Sequence, residues 1–291
     1  MNQKIAQLIE GGPVVTDGAW GTQLQARGLP IGAAPDPWNL EFPDRVAEVP
    51  RAYVEAGSRV VLTNTFGANR IMLARHGAEG RVEEINRAGV ELSRAAAGDR
   101  VAVFASMGPT GIMLAMGEAS EDALAAAFRE QAEALAAAGA DALVLETMSD
   151  VEEALLALKA AKTTGLPVVV SLVFDSGKER DRTMMGTTPE QAARMLAEAG
   201  ADVIGANCGL GAAQMLPICR RLRAASDLPI WMKPNAGMPE LVDGRAVYRT
   251  TPDEFAAHGA ELVRAGANFV GGCCGTTPEM IRALVGAVAA L

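Results

Sequence analysis

At 291 residues the chain is long enough for one barrel-sized domain of about 250 residues, and 49% hydrophobic with 21% charged residues is the balance of a well-packed globular protein. No apolar run approaches the roughly 18 residues that a membrane helix needs, and the opening MNQKIAQLIEGG lacks the basic flank and long apolar stretch of a secretory signal, so a cytoplasmic protein with no membrane contact is expected. A net charge of -9, from 26 basic and 35 acidic residues without a basic stripe, argues against a nucleic-acid partner.

In chain order, eight short apolar runs rich in β-branched residues read as strands: PVVTDG, RVVLTNTF, VAVFASMG, ALVLETM, VVVSLVFD, DVIGANCG, PIWMKPNAG and NFVGGCCG. Their hydrophobicity is continuous rather than alternating, as strands buried on both faces require. Between them lie Ala-rich segments suited to helices, such as EDALAAAFREQAEALAAAG and DVEEALLALKAAKTTG, the second headed by Asp150 as its N-cap. Four of the strands follow an Ala-Gly step, in EAGSRVV, AAGADALV, EAGADVI and RAGANFV, where glycine suits a helix C-terminus in the left-handed conformation. Eight strand-helix units at this length predict a single-domain α/β TIM barrel spanning 1–291. An open nucleotide-binding sheet is disfavoured, because GGPVVTDGAWG carries no G-x-G-x-x-G.

A TIM barrel builds its active site at the C-terminal ends of its strands. Strand one ends in Asp17 and Gly18, strand two in Asn64, strand three in the GPTG of residues 108–111, strand four in Glu146, strand six in Asn207 and Cys208, strand seven in Asn235, and strand eight in Cys273 and Cys274. Three of the four cysteines thus converge, although 65 residues separate Cys208 from Cys273. Thiolates are soft ligands, and a set of three leaves one tetrahedral position open, which favours a catalytic zinc. Three buried unliganded thiols or a peroxide-sensitive pair are the competing reading. Cys219 falls in a helix-like segment and reads as a small hydrophobe. Glu146 needs a partner where it stands, a substrate ammonium for instance, whereas Asp17 reads equally as a turn cap. His76 and His258 lie in helix-like surface segments, which argues against a histidine-dependent triad. The polar segment DSGKERDRTMMGTTP, with Met184 and Met185, is expected as a mobile loop over the barrel mouth.

Six stretches, DGAWGTQL, NTFGANR, GPTG, LETMSD, GANCG and GGCCGTTP, resemble in this order those of the zinc-dependent homocysteine S-methyltransferases. That family includes betaine-homocysteine methyltransferase, S-methylmethionine-dependent enzymes and the homocysteine module of cobalamin-dependent methionine synthase. The resemblance implies that Cys208, Cys273 and Cys274 hold Zn2+. It also implies that Asp17, Gly18 and Glu146 bind the amino-acid end of homocysteine, with Asn64 and Asn207 assigned to the same substrate site. The zinc would render the substrate thiol a thiolate, the nucleophile that takes a methyl group to give methionine. Trp20 and Phe66 are the candidate aromatic contacts to the methyl donor. Position 147 is Thr, where betaine-type members place an aromatic, which disfavours betaine and leaves a sulfonium such as S-methylmethionine as the expected donor. The alternative is the homocysteine half of a split system whose partner is a methyl-corrinoid protein. A homo-oligomer is allowed.

Overall fold

The computed structural model describes residues 2–242 and 245–291. Its strands are β1 (Val14–Val15), β2 (Val60–Val61), β3 (Ala102–Met107), β4 (Ala142–Met148), β5 (Val168–Leu172), β6 (Val203–Gly211), β7 (Ile230–Asn235), β8 (Glu240–Val242), β9 (Arg245–Val247) and β10 (Phe269–Val270). Eight of them form one parallel sheet in the order β1-β10-β7-β6-β5-β4-β3-β2. A parallel bridge between Thr16 and Val60, with the Arg59 N–H donating to Val15 O at 2.8 Å, brings the two remaining edges together. The result is the expected TIM barrel, its strands surrounded by helices such as Glu121–Ala137 and Val151–Lys162.

The predicted punctuation holds. Gly57, Gly139, Gly200 and Gly266, the four glycines of the Ala-Gly steps, all have φ between 87° and 107°, where a Cβ is strained. Asp150 caps its helix by accepting from Glu152 N at 3.0 Å. Two features differ from the sequence reading. β1, β2 and β10 are regular over only two residues each, although the chain beyond β10 still bonds to both neighbours, with Gly271 N donating to Met232 O and Gly272 N to Asp17 O, each at 3.0 Å. An antiparallel hairpin, β8 with β9, stands between β7 and β10, in a stretch whose polar residues hid its pairing.

Two packed layers locate the site. Outside the sheet, the helix faces and outward strand residues form the large core, which includes Cys219, fully buried as expected of a small hydrophobe. Inside the barrel, Phe104, Trp231 and Phe269 pack with ring centroids 5.4 to 6.4 Å apart, Phe104 stacked on Trp231 and Phe269 tilted against both. Each such ring contributes about 2–3 kcal/mol by leaving water. Since side chains alternate along a strand, the residues two steps beyond this apolar layer point into the barrel as well. They are Ser106 after Phe104, Glu146 after Val144, and Lys233 after Trp231, and they make a polar floor above the aromatic plug.

Candidate metal and substrate site

Above that floor opens a cavity of about 260 Å³, lined by the first loop from Gly18 to Thr22, by Asn64 and Phe66, by Glu146 and Lys233, and by Cys208, Cys273 and Cys274. The three sulfurs arrive from the ends of β6 and β10 and lie within 4.8 Å of one another, with Cys208 Sγ 3.9 Å from Cys274 Sγ. A tetrahedral ion with metal–sulfur bonds of about 2.3 Å separates its thiolates by about 3.8 Å, so the cluster has the size of a zinc site. Its chemistry agrees. Hydrogen bonds from Cys273 and Cys274 pull the Cys208 thiol down to about 3. The bond to Cys208 pushes Cys273 up and Cys274 up to about 12, and a cation among the three sulfurs would favour their ionised forms. Beside them, Asn235 Oδ1 is buried with no donor, an orphan oxygen that a cation would satisfy.

Glycine makes this close approach. A Cβ on Gly271 would stand 2.0 Å from Thr16 Oγ1, and one on Gly272 would stand 2.4 Å from Thr276 Oγ1. The space saved lets the first and last loops of the barrel lock together. Ala19 N donates to Thr276 Oγ1 at 2.9 Å, the Thr276 hydroxyl donates to Cys273 O at 2.8 Å, and Tyr53 Oη donates to Ala19 O at 2.8 Å. Gly18 is required in the same place, since its Cβ would meet both Thr276 Oγ1 and Tyr53 Oη at 2.7 Å.

The structure sorts the candidate residues into a wall and a layer behind it. Gly18, Trp20, Asn64, Phe66, Glu146 and the three cysteines line the cavity; Asp17 and Asn207 do not. Asp17 is fully buried and already engaged, accepting from Trp20 Nε1 and Leu62 N, each at 2.8 Å, and from Lys233 Nζ. Asn207 accepts from Thr147 N at 2.8 Å and Ser171 Oγ at 2.7 Å, and donates to Thr147 Oγ1 at 2.7 Å. That clamp holds Thr147 at φ 60°, an uncommon angle for a β-branched residue, and Cys208 is likewise left-handed at φ 62°. Asn64 spends both amide N–H groups, on Pro35 O and Asn39 Oδ1, so its carbonyl oxygen is what remains for a ligand. Glu146 accepts from Ser106 Oγ; burial pushes its carboxyl up, opposed by the Lys233 charge and by the Ser106 bond.

Lys233 is the residue that the sequence reading passed over. The signal was available: a charge within the apolar run IWMKPN meets the same desolvation argument that singled out Glu146. The loop after β5 does not reach the cavity. Met184 and Met185 are exposed, and Met185 lines a separate surface hollow with Val151 and Arg194, while Arg221 ties Asp181 and Glu190 together to one side. His76 is exposed and His258 is half-exposed against Glu261, away from the cavity.

The family model of homocysteine S-methyltransferases matches residues 14–288. The chain belongs to the homocysteine S-methyltransferase family. Its fold superimposes on that of the homocysteine methyltransferase MmuM from Escherichia coli with a TM-score of 0.80 for the metallated form, at 25% identity and covering 96% of this chain and 98% of that one. The oxidised form of the same protein gives 0.81, also at 25% identity, with 97% and 99% covered. Among family relatives, the methionine synthase of Mycobacterium tuberculosis is 32% identical over 295 residues, and that of Mycobacterium leprae shares the same 32%. The match takes in 95% of this chain but 24% of either synthase, so the chain spans about a quarter of their length. Among the described residues no helix is long and apolar enough to cross a membrane.

Proposed function

We propose that this chain methylates the thiol of homocysteine to give methionine, with Cys208, Cys273 and Cys274 holding a zinc ion at the barrel mouth. The observation that carries the reading is the convergence of three thiols with Glu146 and Lys233 on one cavity, in a chain of this family. Zinc, when bound, supplies the Lewis acidity that keeps a substrate thiol ionised at neutral pH.

The chain's own residues do the rest. Glu146 takes the substrate ammonium, a direct partner for a buried carboxylate that otherwise accepts from Ser106 and senses Lys233 only as a neighbouring charge. Asp17 acts from behind the wall, fixing Lys233 and the Trp20 indole, and Asn207 fixes the Thr147 turn. The Asn64 carbonyl and the backbone at Gly18 border the same amino-acid head. Seated in this way, the sulfur attacks in line: its lone pair forms the new S–CH3 bond as the bond from methyl to the donor atom breaks, and that electron pair leaves with the donor. Holding the two reactants in register supplies much of the rate. No proton moves in this step. The carboxylates, the thiols and the aromatic faces of Trp20 and Phe66 favour a donor that arrives cationic, a sulfonium such as S-methylmethionine.

A second reading concerns the donor alone. The 32% identity with methionine synthases that are about four times as long fits a chain that receives its methyl group from a corrinoid protein. Purified protein loaded with one zinc per chain, given homocysteine and in turn S-methylmethionine, betaine, dimethylsulfoniopropionate, methylfolate and methylcobalamin, distinguishes the two by the methionine formed. Turnover with a small sulfonium supports the first reading. Turnover that requires a methyl-corrinoid protein supports the second, and zinc-loaded protein that binds no homocysteine overturns both.

A further inference from the structure

Lys233 is 2% exposed, borders the cavity, and is the sole lysine, arginine or histidine among the described residues that do so. Everything else charged or ionisable in that lining is acidic: Glu146 and the three thiols. An amino acid entering this cavity brings a carboxylate as well as an ammonium, and a carboxylate placed among acids without a cation would be repelled and left desolvated. The Lys233 ammonium has three N–H groups, of which its pair with Asp17 Oδ1 uses one. Asp17 in turn has both oxygens filled, by Lys233 on one side and by Trp20 and Leu62 on the other, so it holds the ammonium in place without offering itself to a ligand. The rear face of Lys233 rests over the Trp231 ring, with Nζ 5.7 Å from the centroid, which leaves the cavity side for its free donors.

We propose that Lys233 is the carboxylate reader of the acceptor site: anchored by Asp17, it donates to the α-carboxylate while Glu146 accepts from the α-ammonium, so that the site seats only thiols carrying a zwitterionic head. This inference rests on the acceptor being homocysteine. It makes Lys233 a substrate-binding residue and Asp17 a positioning residue that acts through it. It also explains the burial of a lysine between two carboxylates: without a ligand, Lys233 is the counter-charge of both.

The test is calorimetric titration of zinc-loaded protein with homocysteine and with 3-aminopropane-1-thiol, which keeps the thiol and the ammonium but has no carboxylate. Wild type is expected to bind homocysteine about 10- to 100-fold more tightly than the truncated thiol, the scale of one charge-assisted contact. In Lys233→Met that ratio falls to near one, through weaker binding of homocysteine alone. Because removing Lys233 leaves Asp17 buried and unpaired, the double variant Lys233→Met with Asp17→Asn is measured beside it, and the same collapse of the ratio is expected. The ratio describes the folded molecules, so partial unfolding does not imitate the effect. A ratio that stays at the wild-type value in either variant overturns the role of Lys233 while leaving the acceptor assignment intact. Fully zinc-loaded wild type that binds neither thiol overturns both.

Discussion

Replacing Thr276 by valine removes one oxygen from the junction of the first and last barrel loops and almost no volume. Thr276 is fully buried, and its hydroxyl is the acceptor for Ala19 N at 2.9 Å and a donor to Cys273 O at 2.8 Å. After the change, Cys273 O keeps the Thr276 N–H at 3.2 Å, whereas Ala19 N, on a residue 4% exposed, has no acceptor left. An orphaned buried donor costs about 1–3 kcal/mol and the lost second bond about 1 kcal/mol, so Thr276→Val is expected to destabilise the fold by about 2–4 kcal/mol. Urea unfolding of the metal-free protein measures this directly, as a lower midpoint at unchanged slope. Thr276→Ser keeps the hydroxyl and loses a methyl group, so it should cost about 1 kcal/mol. Since the same hydroxyl fixes the carbonyl of Cys273, a proposed zinc ligand, zinc affinity should fall in Thr276→Val and survive in Thr276→Ser. If valine and serine prove equally stable, the hydroxyl is not what joins the loops and the reasoning is wrong.

Cys273→Ser exchanges a soft ligand for a hard one and should take zinc content from one per chain to near zero, with methionine formation lost; atomic absorption and a turnover assay check both. Glu146→Gln should raise KM for homocysteine by about 10- to 100-fold with a smaller effect on kcat, because the contact is made in ground and transition states alike. Burial lifts Asp36, held by Gly67 N at 2.9 Å, from 3.8 to about 6. A carboxyl that binds its proton more tightly when folded gives stability that is present below pH 4 and lost as pH rises to about 6. Relative to Asp36→Asn, the wild type should therefore weaken by about 2 kcal/mol between pH 4 and pH 7, as unfolding at those two values would measure. An unchanged difference between the two proteins would refute it.

The barrel was legible because each strand is buried on both faces and reads as an unbroken apolar run, and because the left-handed helix ends demand glycine where the four Ala-Gly steps place it. Taking the last residue of each run was enough to find the wall of the cavity: Gly18, Asn64, Glu146 and the three cysteines. It did not separate that wall from the layer behind. Asp17 and Asn207 stand at strand ends like the others, and only the pairing of Asp17 with Lys233, and of Asn207 with Thr147, shows that they stand behind the wall rather than in it. Lys233 itself was hidden within an apolar run and becomes visible by counting two residues on from Trp231. The loop after β5 was polar enough to suggest a cover for the mouth. Its direction is set by Arg221 on a distant helix, whose pairing with Asp181 and Glu190 no local pattern encodes.

The crowding around Gly205, Gly271 and Gly272 has a consequence for how such a chain drifts over evolutionary time. A Cβ on Gly205 would fall 1.9 Å from Trp231 O, a backbone atom with nowhere to go, whereas one on Gly11 or Gly286 would meet nothing within 4 Å. The most immovable letters of this sequence are therefore not confined to those with reactive groups. Descendants have room to exchange their surface and much of their helical exterior, but the places where strands and loops touch through missing side chains leave selection no alternative residue to try.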